Sequence, residues 1–176
     1  MRRTRRLLAA LRRCRRGAAA IEFALVAPMM ILLHLGVVEC VQAWEAYRRA
    51  AHIAAALADL AAQNRSVTTA DLNDILQAGS LLISPFTTAD LGERVASLTA
   101  NATTGAVGVD WSATSNWTAG GAPSVPTGYL QAGESVIVAD VTYNHQTMFA
   151  LVLPQTINMQ NHAYLRPRLS NQVAMM

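Results

Sequence analysis

At 176 residues the chain amounts to one domain, with room for a membrane segment. Its composition, 52% apolar and 14% charged, is oily for a freely soluble domain. The net charge of +3 does not describe a nucleic-acid-binding face: all basic residues are arginines, eight precede Gly17, and beyond it six Arg stand against eleven acids.

The first segment is the basic run itself, which ends in Arg12, Arg13, Arg15 and Arg16. After Gly17 the chain turns apolar. Phe23 to Val38, "FALVAPMMILLHLGVV", carries no formal charge with His34 neutral, and extension back to Ala18 adds one carboxylate, Glu22. Twenty-one residues at about 1.5 Å each give about 31 Å, the thickness of a bilayer's hydrocarbon core. Arginines crowd one flank, while Glu39, Trp44, Glu45 and Tyr47 follow the other. The positive-inside bias therefore predicts a single span with the N-terminus cytoplasmic. Two residues disturb that span. Pro28 removes a backbone donor and predicts a kink or local loosening. Glu22 costs about 2.5–3.5 kcal/mol if charged at mid-bilayer, so it either lies at headgroup depth and snorkels or calls for a cationic partner. Cys14 and Cys40 fall on opposite sides of the span, so no intramolecular disulfide is available to them.

Beyond the span the helix is expected to continue to about residue 63. Half of the residues from Ala43 to Ala62 are alanine, Glu45 and Arg49 form an i,i+4 pair, and Ile53, Leu57 and Leu60 make a stripe suited to covering a sheet. A second short helix is predicted over 66–79, with Thr68 and Asp71 in capping-box spacing and Gly79 as its stop. Strand patterns follow at 93–100, at 105–111 with Val107, Val109 and Trp111 on one face, and at 134–144 with Ile137, Ala139, Val141 and Tyr143 on one face. A fourth strand is placed at 160–166. Residues 112–133, rich in Gly, Pro, Ser and Thr, read as a long surface loop in which Trp117 and Tyr129 cover the domain's own core or meet a partner. A long helix followed by a meandering antiparallel sheet is an α+β architecture.

No catalytic constellation accompanies these elements. His52, His145 and His162 are scattered, no carboxylates cluster at ligand spacing, and "TAGGAP" lacks the lysine of a phosphate loop. Neither an enzyme, a metal site nor a cofactor is expected.

One stretch has a specific likeness. "GAAAIEFALVAPMMILLHLGVVECVQAWEAYRRAAHIAAALADLAAQ", residues 17 to 63, resembles the N-terminal region of TadE-like proteins, the minor pilins or pseudopilins of the tight-adherence (Flp) branch of type IV pili. Gly17, Glu22, Phe23 and Pro28 match the family's pattern of basic leader, glycine, small residues, Glu-Phe and an internal proline. "VDWS" at 109–112, "GESVIVADVTY" at 133–143 and "YLRPRLS" at 164–170 are also similar to the family.

The resemblance implies a pilin-like fold and a prepilin peptidase that cuts between Gly17 and Ala18. Residues 1–17 are then a leader, 18–43 a transmembrane or pilin helix, and 44–176 a periplasmic head that includes the helix extension. The new α-amino group of Ala18, in the same or a neighbouring subunit, is the cation that Glu22 lacks. The implied function is a minor pilin that assembles or primes a Flp/Tad-type pilus from the bacterial inner membrane. Its implied partners are the peptidase, other pilins and pseudopilins, the membrane assembly platform and lipid. Two alternatives remain at this stage: an uncleaved single-pass anchor for a periplasmic scaffold or binding protein, and release by ordinary signal peptidase at "VQA", 41–43.

Overall fold

The computed structural model describes residues 16–176. The first element, α1 (Arg16–Ala62), is a helix of 47 residues, about 70 Å long at the usual rise. It runs on through Pro28 without ending there. Its two halves have different surroundings. Nearly every side chain from Gly17 to His34 is exposed, Phe23, Leu25, Met29 and Leu33 among them. Farther on, Ala46, Ala50, Ile53, Ala54, Leu57, Ala58, Ala61 and Ala62 are buried. Their three- and four-residue spacing places them on one face. The alanines let the sheet approach the helix axis, while Ile53 and Leu57 each contribute on the order of 1.5–3 kcal/mol of burial. Leu60 is not in that stripe: it is 38% exposed, because the face runs through 50, 54, 57 and 61 and leaves position 60 at its edge. The side chain of Asn64 donates to the Leu60 carbonyl and the Arg168 N–H to that of Ala62, so the last turn is satisfied.

The second helix, α2 (Thr69–Leu82), starts later than the expected residue 66 but carries the expected cap. Thr68 Oγ1 accepts the Asp71 N–H at 3.2 Å, and the Asp71 carboxylate accepts the Thr68 N–H at 2.8 Å. Those bonds from Thr68 hold the Asp71 carboxyl below its ordinary range. Gly79, however, is not the stop. It is buried inside the helix, where a Cβ would come within 2.2 Å of Glu93 Oε1 and 2.9 Å of Leu57 Cδ2. Close packing against α1 and the sheet, rather than termination, calls for glycine here, at a propensity cost of about 1 kcal/mol.

A two-residue strand, β1 (Ser66–Val67), follows α1 in sequence. The main sheet contains β2 (Leu91–Ala100), β3 (Val107–Ser115), β4 (Ser135–Gln146) and β5 (Thr156–Leu165), all antiparallel to their neighbours, in the order β3-β2-β4-β5. The last short strand, β6 (Ala174–Met175), pairs in parallel with β1, and Trp111 Nε1 donates to the Val173 carbonyl at 2.8 Å to hold that segment against β3. The architecture is α+β, with α1 and α2 on one face of the sheet.

Two expectations about the sheet need correction. The first is the meander. β4 pairs on the opposite side of β2 from β3, so residues 116–134 must cross from one end of the sheet to the other. That segment covers the outer face: Val125 and Leu130, with Tyr164, pack on Ala96, Leu98, Val136 and Val138. β2 and β4 are thus buried on both faces, so burial along them does not alternate. The second concerns β3. Ser97 pairs with Trp111 but Leu98 pairs with Val109, so Asp110 is an extra residue at a bulge. One inserted residue reverses the phase of the strand. Trp111 is buried in the main core while Val107 and Val109, expected beside it, are 45% and 46% exposed. In β4, by contrast, Ile137, Ala139, Val141 and Tyr143 share the inner face as the alternation predicts.

Candidate functional site

The residues of the sequence motif all lie on the exposed half of α1. Gly17, Ala18, Glu22, Phe23 and Pro28 are exposed, and Phe23 is 74% so. A Cβ built at Gly17 meets nothing within 4 Å. No packing contact among the described residues therefore asks for glycine at that position. Glu22 is exposed on a helix face flanked by Ile21, Phe23 and Leu25, which leaves its carboxylate open to a partner from outside the chain. Arg12, Arg13 and Arg15 lie outside the described residues, as does the side chain of Arg16, which opens the helix.

A second carboxylate on the same helix behaves differently. Glu39 is 1% exposed. Its Oε1 accepts the N–H of Phe149 at 3.0 Å and of Leu151 at 3.2 Å, while Oε2 accepts Leu151 at 3.2 Å and Val152 at 3.1 Å. The β4–β5 turn therefore wraps its backbone donors around one acid, aided by Ala150 in a left-handed conformation at φ 50°. Hydrogen bonds from backbone N–H to an ionised carboxylate are about twice as strong as neutral ones. Sequence reasoning treated Glu39 as a flanking acid and missed this role. The signal was present: positions 35, 36, 42 and 43 are Leu, Gly, Gln and Ala, so Glu39 has no cation one helical turn away in either direction.

On the opposite face of the sheet, Asp140 is 2% exposed and binds two cation-capable side chains. Its Oδ2 accepts Arg94 Nε at 2.8 Å and an Arg94 terminal nitrogen at 2.5 Å, and its Oδ1 lies 2.6 Å from His162 Nδ1. Arg94 also donates to the Gly121 carbonyl at 2.7 Å, and its guanidinium sits 4.5 Å from the centre of the Trp117 ring. Tyr129 packs against Tyr164 with the rings tilted and their centroids 5.4 Å apart. Both aromatics of the 112–133 loop therefore cover the domain's own sheet. An Asp-His pair can orient an imidazole for proton transfer, but among the described residues no hydroxyl or thiol hydrogen-bonds His162. The cluster acts as a rivet that joins β2, β4, β5 and the crossing segment. Among the described residues no group of three His, Cys, Asp or Glu is placed to hold a metal ion.

Residues 17–59 match the family model described as TadE-like protein. The chain carries a TadE-like helix. The match spans Gly17, Glu22, Phe23, Pro28 and Glu39 and stops three residues before α1 ends. No curated protein and no solved structure matches the chain. The TadE-like helix is long and apolar enough to cross a membrane, as befits a single-pass anchor.

Proposed function

We propose that the protein is a minor pilin or pseudopilin of a Tad-type pilus, inserted in the inner membrane by residues 18–43 and trimmed by prepilin peptidase after Gly17. The observation that carries this reading is the state of the TadE-like helix. Its first half, residues 17–34, is an uncovered apolar rod whose one acid, Glu22, has a structural use only when another group approaches it. Removal of residues 1–17 takes away eight arginines that hold the N-terminus at an anionic leaflet, and it creates the Ala18 α-amino group near Glu22. In a bundle of such helices, a carboxylate that is costly in lipid becomes a docking device, since its cost is offset only where an amine meets it. The body of residues 44–176 then serves as the periplasmic head, and other pilins, the assembly platform and lipid are the partners. The role is structural rather than enzymatic.

N-terminal sequencing of the protein recovered from membranes is expected to begin at Ala18. Gly17→Ala should block that cut, and Glu22→Gln should leave the cut intact while abolishing incorporation into sheared filaments. An intact Met1 start together with normal function of both variants would instead identify an uncleaved anchor carrying a periplasmic scaffold.

A further inference from the structure

The turn that Glu39 grips is an unusual one. Residues 147–155, "TMFALVLPQ", join β4 to β5 without a single charge. Met148, Phe149, Leu151 and Val152 stand between 46% and 67% exposed, whereas turns facing water are built from polar residues, Gly and Pro.

Its location on the TadE-like helix suggests why. Val152 Cγ2 lies 2.8 Å from where a Cβ on Gly36 would be, so the turn touches the helix at Gly36 and at Glu39. Trp44 and Tyr47, stacked with centroids 6.1 Å apart and largely exposed, come next along the helix, followed by Arg48 and Arg49. An exposed aromatic pair at the end of an apolar helix marks the headgroup level of a bilayer. Glu39 and Gly36 then lie about 8 and 12 Å to the apolar side of Trp44. The lipid that covers Leu33 and Val37 at that depth must also meet the turn beside them, and an apolar groove between Val152 and those two residues opens in the same direction.

We propose that the β4–β5 turn dips into the bilayer leaflet facing the body, as a second anchor beside α1, with Glu39 preparing its backbone for that medium. The proposal rests on the reading of residues 18–43 as a span. Backbone donors that enter hydrocarbon must be satisfied from within the protein. Glu39 takes those of Phe149, Leu151 and Val152, the Gln155 carbonyl takes that of Thr147, the Thr147 hydroxyl turns to the Pro154 carbonyl, and Pro154 has no donor to satisfy. The same contacts answer the converse problem, an acid within reach of lipid that has no cation beside it. Glu39 is thus a positioning residue for the turn.

The test uses the full chain in phosphatidylcholine vesicles with plain or brominated acyl chains. Phe149→Trp and, as a marker of the span, Ile31→Trp each add one fluorophore at an exposed apolar position. The emission added by F149W is expected to be blue-shifted, quenched by the brominated lipid to an extent comparable with I31W, and shielded from aqueous iodide. Glu39→Ala in the F149W background should open that fluorophore to iodide, and the same change should leave I31W untouched. If I31W is quenched by lipid while F149W responds only to iodide, the turn lies in water and the proposal fails with the span intact. If neither responds to lipid, the span itself is wrong. F149W shielded from both quenchers would mean a neighbouring protein covers the turn, which also overturns the proposal. An F149W signal indifferent to Glu39→Ala would remove Glu39 from its assigned role.

Discussion

Glu93 points its carboxyl into the space between α1 and α2, with Leu57 and Gly79 as close neighbours and Oε1 without a hydrogen-bond partner among the described residues. Burial raises its pKa from 4.5 to about 7. A carboxyl whose folded-state pKa lies above its unfolded value binds a proton on folding, so stability is greatest below pH 4.5, declines as pH rises toward 7, and carries the full cost above that. A shift of this size corresponds to about 3 kcal/mol. Glu93→Gln is therefore expected to leave the denaturation midpoint in detergent nearly unchanged at pH 4.5 and to raise it at pH 8. Equal effects at both values would mean the carboxyl is not the cause. At this scale the sequence was only partly legible. Gly17, Glu22, Phe23 and Pro28 stand out through the resemblance to the TadE-like pattern, whereas the missing cation near Glu39 does not say which segment, 110 residues away, will grip it, and no local pattern connects Glu93 to its neighbouring glycine.

Among the elements, the crossing segment 116–134 depends most on a few side chains. Asp140→Ala leaves Arg94 buried without its counter-ion, which typically costs about 3–5 kcal/mol. Limited proteolysis should then cut first within 116–134, because the Gly121 and Trp117 contacts hang on the same guanidinium. Asp140→Asn, which keeps an acceptor, should be milder. Protection of that segment equal to the unaltered protein's would show that the outer apolar cluster alone retains it. The element scale also shows how far local signals reach. The pentapeptide "TTADL" occurs at 68–72 and 87–91, and at both places its first threonine caps the turn that begins one residue later. The first copy opens a helix of 14 residues and the second only a single 3-10 turn. The difference comes from downstream: Leu72, Ile75 and Leu76 continue a helical stripe, whereas "LGERVASL" goes into a strand. The bulge at Asp110 was illegible for a related reason. "GVDWSA" alternates whether or not a residue is inserted, and only pairing with β2 reveals which valines turn outward. The crossover is equally hidden, since Gly- and Pro-rich sequence specifies a loop but not its destination.

For the molecule as a whole, the division of α1 into an exposed apolar half and an alanine-faced half was written plainly in hydropathy, and the α+β order could be read from the change of period after the second helix. The corresponding expectation concerns extraction. The full chain should remain with membranes through an alkaline carbonate wash and enter solution only with detergent, since its first helix is long and apolar enough to cross a bilayer. Release by carbonate alone would contradict the anchor. The continuity of α1 has a mechanical consequence. Domains are commonly joined to their anchors by pliable linkers that absorb displacement. Here one helix without interruption joins the apolar end to the sheet's core. A push, pull or rotation imposed at one end is delivered to the other without slack, so the body moves as the arm of a lever rather than as a weight on a string.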